Sequence, residues 1–239
     1  TEKHNIGVIK MEVCRNTQPN VSFLKSVRKL ASQKKIVLIF DECTTGFRQS
    51  YGGIHKTLGI NPDIVILGKA LGNGYPITAV LGKEEIMNSA KNSFMSSTFW
   101  SERIGPVAAL KTLEIMKKKK SWIAITKLGE SLISIWKKLA SKHKIKLNIF
   151  GIPSLAKFMI KSKNSQAYKT YITQQMLEKN FLASNGVYMS ITHDQKILKK
   201  YEKILDKIFY NISLCERGKL SVHEVLRYPI SHLPFERLN

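Results

Sequence analysis

Four strand-sized apolar runs, separated by helical or turn sequence, set the tightest constraint on this chain. Ile6–Cys14 is apolar and β-branched. Ile36–Phe40 ends on the acidic pair Asp41-Glu42, Ile64–Leu67 ends on Gly68-Lys69, and Ile77–Leu81 follows the tight loop Gly72-Asn73-Gly74-Tyr75-Pro76. Short continuous apolar runs of this kind predict strands buried on both faces. Their alternation with helix or loop predicts an α/β layered sheet. In such sheets ligands gather at strand ends, which singles out Asp41 and Lys69.

The remaining pattern fills in the layers. Asn20 or Ser22 is placed to cap a helix through about Ser32, with Phe23, Leu24, Val27 and Leu30 at helical spacing. Asn61-Pro62-Asp63 is a turn, and Gly46, Gly52 and Gly53 mark a loop. From Glu102 the character changes: Glu102–Lys118 and Ser121–Ser141 have helical periodicity, with Ile104, Ala108 and Ile115 as core candidates. Residues 1–143 are expected to form part of a large domain with its connecting helices. Residues 144–239 are expected to form a smaller α+β domain, with apolar stretches at Leu147–Phe150 and Ala156–Ile160 and helices near Ser165–Asn180 and Gln195–Ser213.

Composition narrows the partners. With 39 Lys+Arg against 17 Asp+Glu the net charge is +22, which raises a polyanion partner. The lysines are spread along the chain, only Lys117–Lys120 form a block, and no aromatic-interleaved basic stripe occurs. A lysine-rich solvated surface that adheres to nucleic acid in a salt-dependent way is the preferred reading over a specific nucleic-acid site. No apolar stretch approaches the ~20 residues of a membrane helix, so no membrane partner is expected. Cys14, Cys43 and Cys215 show no metal-ligand spacing, so no metal is expected and a reducing, cytoplasmic setting is the simplest one.

The chemistry concentrates in two segments, Ile36–Arg48 (IVLIFDECTTGFR) and Ile64–Pro76 (IVILGKALGNGYP). They place an acid at the end of one buried strand and a lysine at the end of the next. Together they resemble the class III aminotransferase family of fold-type I pyridoxal-phosphate enzymes, in particular glutamate-1-semialdehyde aminomutases and similar aminotransferases. The resemblance continues through Ser97–Leu113 (STFWSERIGPVAALKTL) and extends to His193 and Phe235–Asn239. It implies the large-domain part of that fold, a mainly parallel sheet with flanking helices, plus the small α+β domain.

It also implies roles. Lys69 matches the lysine that forms the Schiff base with the cofactor, since an imine needs a primary amine. Its later work as a proton carrier requires a neutral amine, so burial or nearby positive charge is expected around it. Asp41 matches the carboxylate beneath the pyridine nitrogen, which keeps the ring an electron sink. Cys43 stands where the family usually has valine against a ring face, and is expected to pack rather than react. Thr98 matches a residue that binds the cofactor phosphate of the neighbouring subunit. Ser97, Thr98 and amides ahead of the helix near Glu102 suit an anion, although a plain helix cap is the alternative. Glu12 is a supporting candidate, since relatives often follow this glutamate with proline where Val13 stands here. His193 reads either as a residue near a substrate entrance or as a satisfied structural histidine. Gly72 and Gly74 permit either close backbone approach to the cofactor or tight turning.

The resemblance covers only the latter half or more of a full-length member. The Ser-Gly-(Ser/Thr)-Glu-Ala phosphate loop and the stacking aromatic of the upstream half have no counterpart here, and a sheet short of strands would leave an unpaired edge and exposed apolar faces. Two expectations follow. One is a homodimeric aminotransferase or aminomutase that moves an amino group on small amino or keto substrates. The other is a truncated remnant or partner subunit that keeps the fold without full activity.

Overall fold

Backbone direction in the sheet follows from loop length. A computed structural model describes residues 6–14, 20–96, 98–99 and 101–232. β1 (Val8–Glu12), α1 (Val21–Gln33), β2 (Val37–Asp41), α2 (His55–Leu58) and β3 (Ile64–Leu67) lead to a 3-10 turn at Lys69–Leu71 and then β4 (Ala79–Gly82). The strands lie in the order β1-β2-β3-β4, with β1, β2 and β3 parallel and β4 antiparallel to β3. Gly68–Thr78 spans only a short turn, too little chain for the crossover a parallel neighbour needs, so β4 returns alongside β3.

Both edge strands depart from the expected two-sided burial. Val8 on β1 is 53% exposed, and Val80 and Leu81 on β4 are 51% and 53% exposed. The inner strand β2 buries one face fully, through Leu38 and Phe40, and the other, through Val37 and Ile39, only in part. An edge strand has a neighbour on one side only, so its apolar residues are covered less.

Asn20 caps α1 by accepting from the Phe23 amide at 3.0 Å, and α1 seats Leu24 and Ala31 in the core. Phe23 and Leu30, expected on the same face, are exposed; the true face is the narrower Leu24–Ala31 row. Arg28 carries α1 to Asp63, whose Oδ2 also accepts from the Leu38 amide, both at 2.8 Å. Lys83 reaches the other oxygen at 2.8 Å. One buried carboxylate therefore ties α1, β2 and the residue after β4 together.

α3 (Glu84–Met87) precedes the long helices α4 (Ile104–Lys119) and α5 (Ser121–His143). α4 buries Gly105 and Ala109, packing Ala109 near Phe47, Leu67 and Leu71. The expected core positions Ile104 and Ile115 are exposed: the small Gly105–Ala109 row makes the close approach, and this turns Ile104, Val107 and Leu110 outward.

The chain divides into two units, Thr1–Ala124 and Ile125–Asn239, so the boundary falls just inside α5 rather than at 143/144. The cause is the face of α5 that bears Ile125, Leu132, Trp136 and Leu139, which belongs to the second core. That unit adds β5 (Leu147–Phe150), β6 (Leu155–Ile160), α6 (Ser165–Leu177), β7 (Gly186–Tyr188), α7 (Gln195–Glu216) and the short α8 (Val222–Val225). Its sheet is antiparallel, β5-β6-β7. Trp136 meets Phe158 edge-on at 4.8 Å and donates to Tyr201 Oη at 3.0 Å, which satisfies the buried indole N–H.

Candidate active site

The parallel register brings the two strand ends together. Asp41, the last residue of β2, lies beside Ile66 of β3. Beyond Leu67 the chain passes through extended Gly68 and enters a left-handed conformation at Lys69, with φ of 45°. A β-carbon at Gly68 would stand 3.3 Å from Cys43 Sγ, so glycine lets the end of β3 close on the loop after β2. Ala70 and Leu71 turn into the core. The left-handed turn lifts Lys69 the other way and leaves it exposed, so of the two expected alternatives, burial or nearby positive charge, burial does not hold. Its Nζ donates to Thr44 Oγ1 at 3.1 Å.

Asp41 Oδ1 accepts from the Cys43 amide at 3.2 Å, and Oδ2 lies 3.1 Å from Lys10 Nζ on β1. Partial burial pushes its carboxyl upward, but the Cys43 amide and the Lys10 ammonium outweigh this and hold it below the ordinary carboxylate value. The Cys43 thiol is pushed up by its own burial and by Asp41, while Lys69 and Lys10 pull the other way. Cys43 thus sits in the combined field of Asp41, Lys69 and Lys10. A raised thiol is protonated at neutral pH and a poor nucleophile, which suits packing.

Sequence reading passed over the group that rigidifies this loop. Glu42 is fully buried, and its carboxylate accepts from Thr45 Oγ1 at 3.0 Å and from the amides of Ile54 and His55, and pairs with His55 Nδ1. A buried carboxylate is tolerated only when so fully bonded. The signal was the second acid after Asp41: in alternating backbone, when Asp41 faces the strand-end cleft, Glu42 points into the protein.

Other expected residues lie elsewhere. Thr98 is exposed in the turn before α4, apart from the contacts that join Asp41, Cys43 and Lys69; Ser97 and Phe235–Asn239 lie outside the described residues. Glu102 caps α4 itself, accepting from the Ile104 amide at 2.7 Å and the Gly105 amide at 3.3 Å, so those two donors already have a carboxylate. Glu12 is the register partner of Asp41. Gly72 serves a turn: its carbonyl accepts from the Tyr75 amide at 3.2 Å, and a β-carbon on it would strike the Tyr75 carbonyl. In the second unit His193 Nδ1 accepts from the Ser190 amide at 3.3 Å. His193 also lines a cavity of about 400 Å³ walled by Phe181, Tyr188, Met189 and Leu198. Among the described residues there is no cluster of metal-ligating side chains, and no helix is long and apolar enough to cross a membrane.

A layered α/β unit followed along the chain by a small α+β unit is the fold of the pyridoxal-phosphate-dependent transaminases. The FumI protein of Sphingopyxis sp. MTA144 superposes with a TM-score of 0.82 at 19% identity, covering 92% of this chain and 55% of that one. An acetylornithine aminotransferase from Elizabethkingia anophelis gives a TM-score of 0.76 at 26% identity, over 87% of this chain and 55% of that one. The chain belongs to the class-III aminotransferase family, whose family model matches residues 16–202. Its relatives include a 3-aminobutyryl-CoA aminotransferase from Cloacimonas acidaminovorans, 32% identical over 87% of this chain and 49% of that protein. Another is a glutamate-1-semialdehyde 2,1-aminomutase from Natranaerobius thermophilus, 29% identical over 84% of this chain and 51% of that protein. The chain spans about half the length of the curated relatives it matches.

Proposed function

We propose that this chain takes part in pyridoxal-phosphate-dependent amino-group transfer, with Lys69 as the catalytic residue and Asp41 and Cys43 as further cofactor contacts. The observation that carries the reading is that two adjacent parallel strands end on Asp41 and just before Lys69, with Asp41 bonded to the Cys43 amide and Lys69 to Thr44 in the same loop. The donor set suits the cofactor: an exposed primary amine, an ionised carboxylate and a small neutral side chain between them. When bound, pyridoxal phosphate supplies an aldehyde carbon and an electron-withdrawing ring. Lys69 would hold that carbon covalently and, once displaced, carry a proton from the α-carbon of an amino substrate. Asp41 would hold the proton on the ring nitrogen.

The substrates would be small amino and keto compounds. The relatives named above include both a transferase and a mutase, and the residues here suit either. Thr98 would serve the phosphate of a neighbouring copy. Exposed Ile104, Val107 and Leu110 on α4, with Phe94 and Phe99 before it, support a homodimer that buries them. Three free thiols support a cytoplasmic setting.

A second reading has its own observation. On that share of the relatives' length, about half, residues 1–239 would bind cofactor weakly, as a partner subunit does, until a complementary segment joins them.

Mixing the purified chain with pyridoxal phosphate should give a visible absorption band that Lys69→Ala abolishes, together with amino transfer from a panel of amino donors. A band without turnover favours the partner-subunit reading. A folded chain with no band contradicts cofactor binding.

A further inference from the structure

We infer that Lys10 is a positioning residue that acts through Asp41: its ammonium shares the carboxylate meant for the cofactor ring and thereby sets how firmly the ring nitrogen holds its proton. The inference rests on the pyridoxal-phosphate reading above. Lys10 lies on β1 opposite Ile39 of β2, and Glu12 lies opposite Asp41. Residues two apart on a strand share a face, so Lys10 and Asp41 emerge on the same side of the sheet, and Lys10 Nζ closes to 3.1 Å from Asp41 Oδ2. The Cys43 amide takes Oδ1.

An ionised carboxylate has about four acceptor positions, so Lys10 leaves room for a ring N–H. What it changes is the balance of charge. A carboxylate facing a protonated ring neutralises it. The same carboxylate shared with an ammonium leaves the group with excess positive charge, which disfavours the protonated ring. The charged and titratable groups on the elements around Asp41 are Lys10 and the register partner Glu12 from β1, Cys43 from its own loop, and Lys69 from beyond β3. Cys43 is neutral, and Lys10 is the charged group in contact with the carboxylate, at 3.1 Å. Because Lys10 is 56% exposed, its effect is modest and screened by salt.

The test uses the full 239-residue chain as wild type, Lys10→Met and Lys10→Arg. Each is titrated with pyridoxal phosphate labelled with 15N in the ring, and circular dichroism confirms folding. Lys10→Met, which keeps the length and loses the charge, should bind about twofold to fivefold more tightly at low salt. Its ring-nitrogen resonance should move toward the protonated form, and the difference from wild type should shrink at high salt. Lys10→Arg should behave as wild type. Wild-type affinity and resonance in Lys10→Met, or weaker binding, overturns the role of Lys10 while leaving the cofactor reading intact. Failure of all three folded chains to bind overturns the cofactor reading, and this inference with it.

Discussion

Lys69 reaches Thr44 from a left-handed backbone: its Nζ donates to Thr44 Oγ1 at 3.1 Å while its φ is 45°. A non-glycine residue in this region carries about 1–2 kcal/mol of strain, and strain held at a functional site is part of how the site is built. Replacing Lys69 separates strain from chemistry. Lys69→Gly relieves the strain against a backbone-entropy cost of about 0.5–1 kcal/mol, whereas Lys69→Ala keeps it. In urea titrations Lys69→Gly should be more stable than Lys69→Ala by about 1 kcal/mol, with neither binding cofactor covalently. Equal midpoints, or a more stable alanine variant, would show that the backbone there is not strained.

Glu42 predicts the opposite balance. It is fully buried and bonded to Thr45, Ile54 and His55, so Glu42→Gln removes a charge paired with His55 and turns an NH2 toward backbone donors. The expected loss is about 3 kcal/mol, read as a lower urea midpoint at unchanged slope. A shift below about 0.5 kcal/mol, the range of an ordinary surface change, would deny it the loop-anchoring role.

Asp63 makes acid stability measurable. Burial pushes its carboxyl up, but the Leu38 amide, Lys83 and Arg28 outweigh it and bring the pKa down to about 2 from the ordinary 3.8. The folded state therefore binds this proton less readily than the unfolded state. Its contribution is complete above 3.8 and is lost as pH falls through about 2. That contribution is about 2 kcal/mol. Asp63→Asn should lose that amount at neutral pH, and the gap to wild type should close as the solution is acidified through that window. A gap that stays constant with pH would place the effect elsewhere.

What was legible in the sequence divides by range. Asp41 and Lys69 were legible because each ends a short apolar run, and local pattern alone puts both at strand ends. Much of the second unit was legible for the same reason, Leu147–Phe150 and Leu155–Ile160 being short apolar runs and Gln195–Glu216 an amphipathic helix, whereas the short β7 and α8 carry too little pattern to be read. The Lys10–Asp41 contact was not, because it depends on the register between β1 and β2, which no single run encodes. The buried face of α4 was misjudged because ranking by hydrophobicity favoured Ile104 and Ile115, whereas close packing selected the small Gly105 and Ala109. The exposure of β1 and β4 was hidden in the same way. Val80 and Leu81 are as apolar as Leu38, and only their place at the sheet edge separates them. His55 gave no local sign of pairing with Glu42.

The most direct measurement is chemical mapping of the lysine that holds the cofactor. The chain is incubated with pyridoxal phosphate, reduced with borohydride, digested and read by mass spectrometry. The label should fall on the peptide carrying Lys69 and should disappear when Asp41 is changed to Ala under dilute cofactor. A label scattered over the many surface lysines with Lys69 unmodified, in a chain that is demonstrably folded, would contradict the assignment.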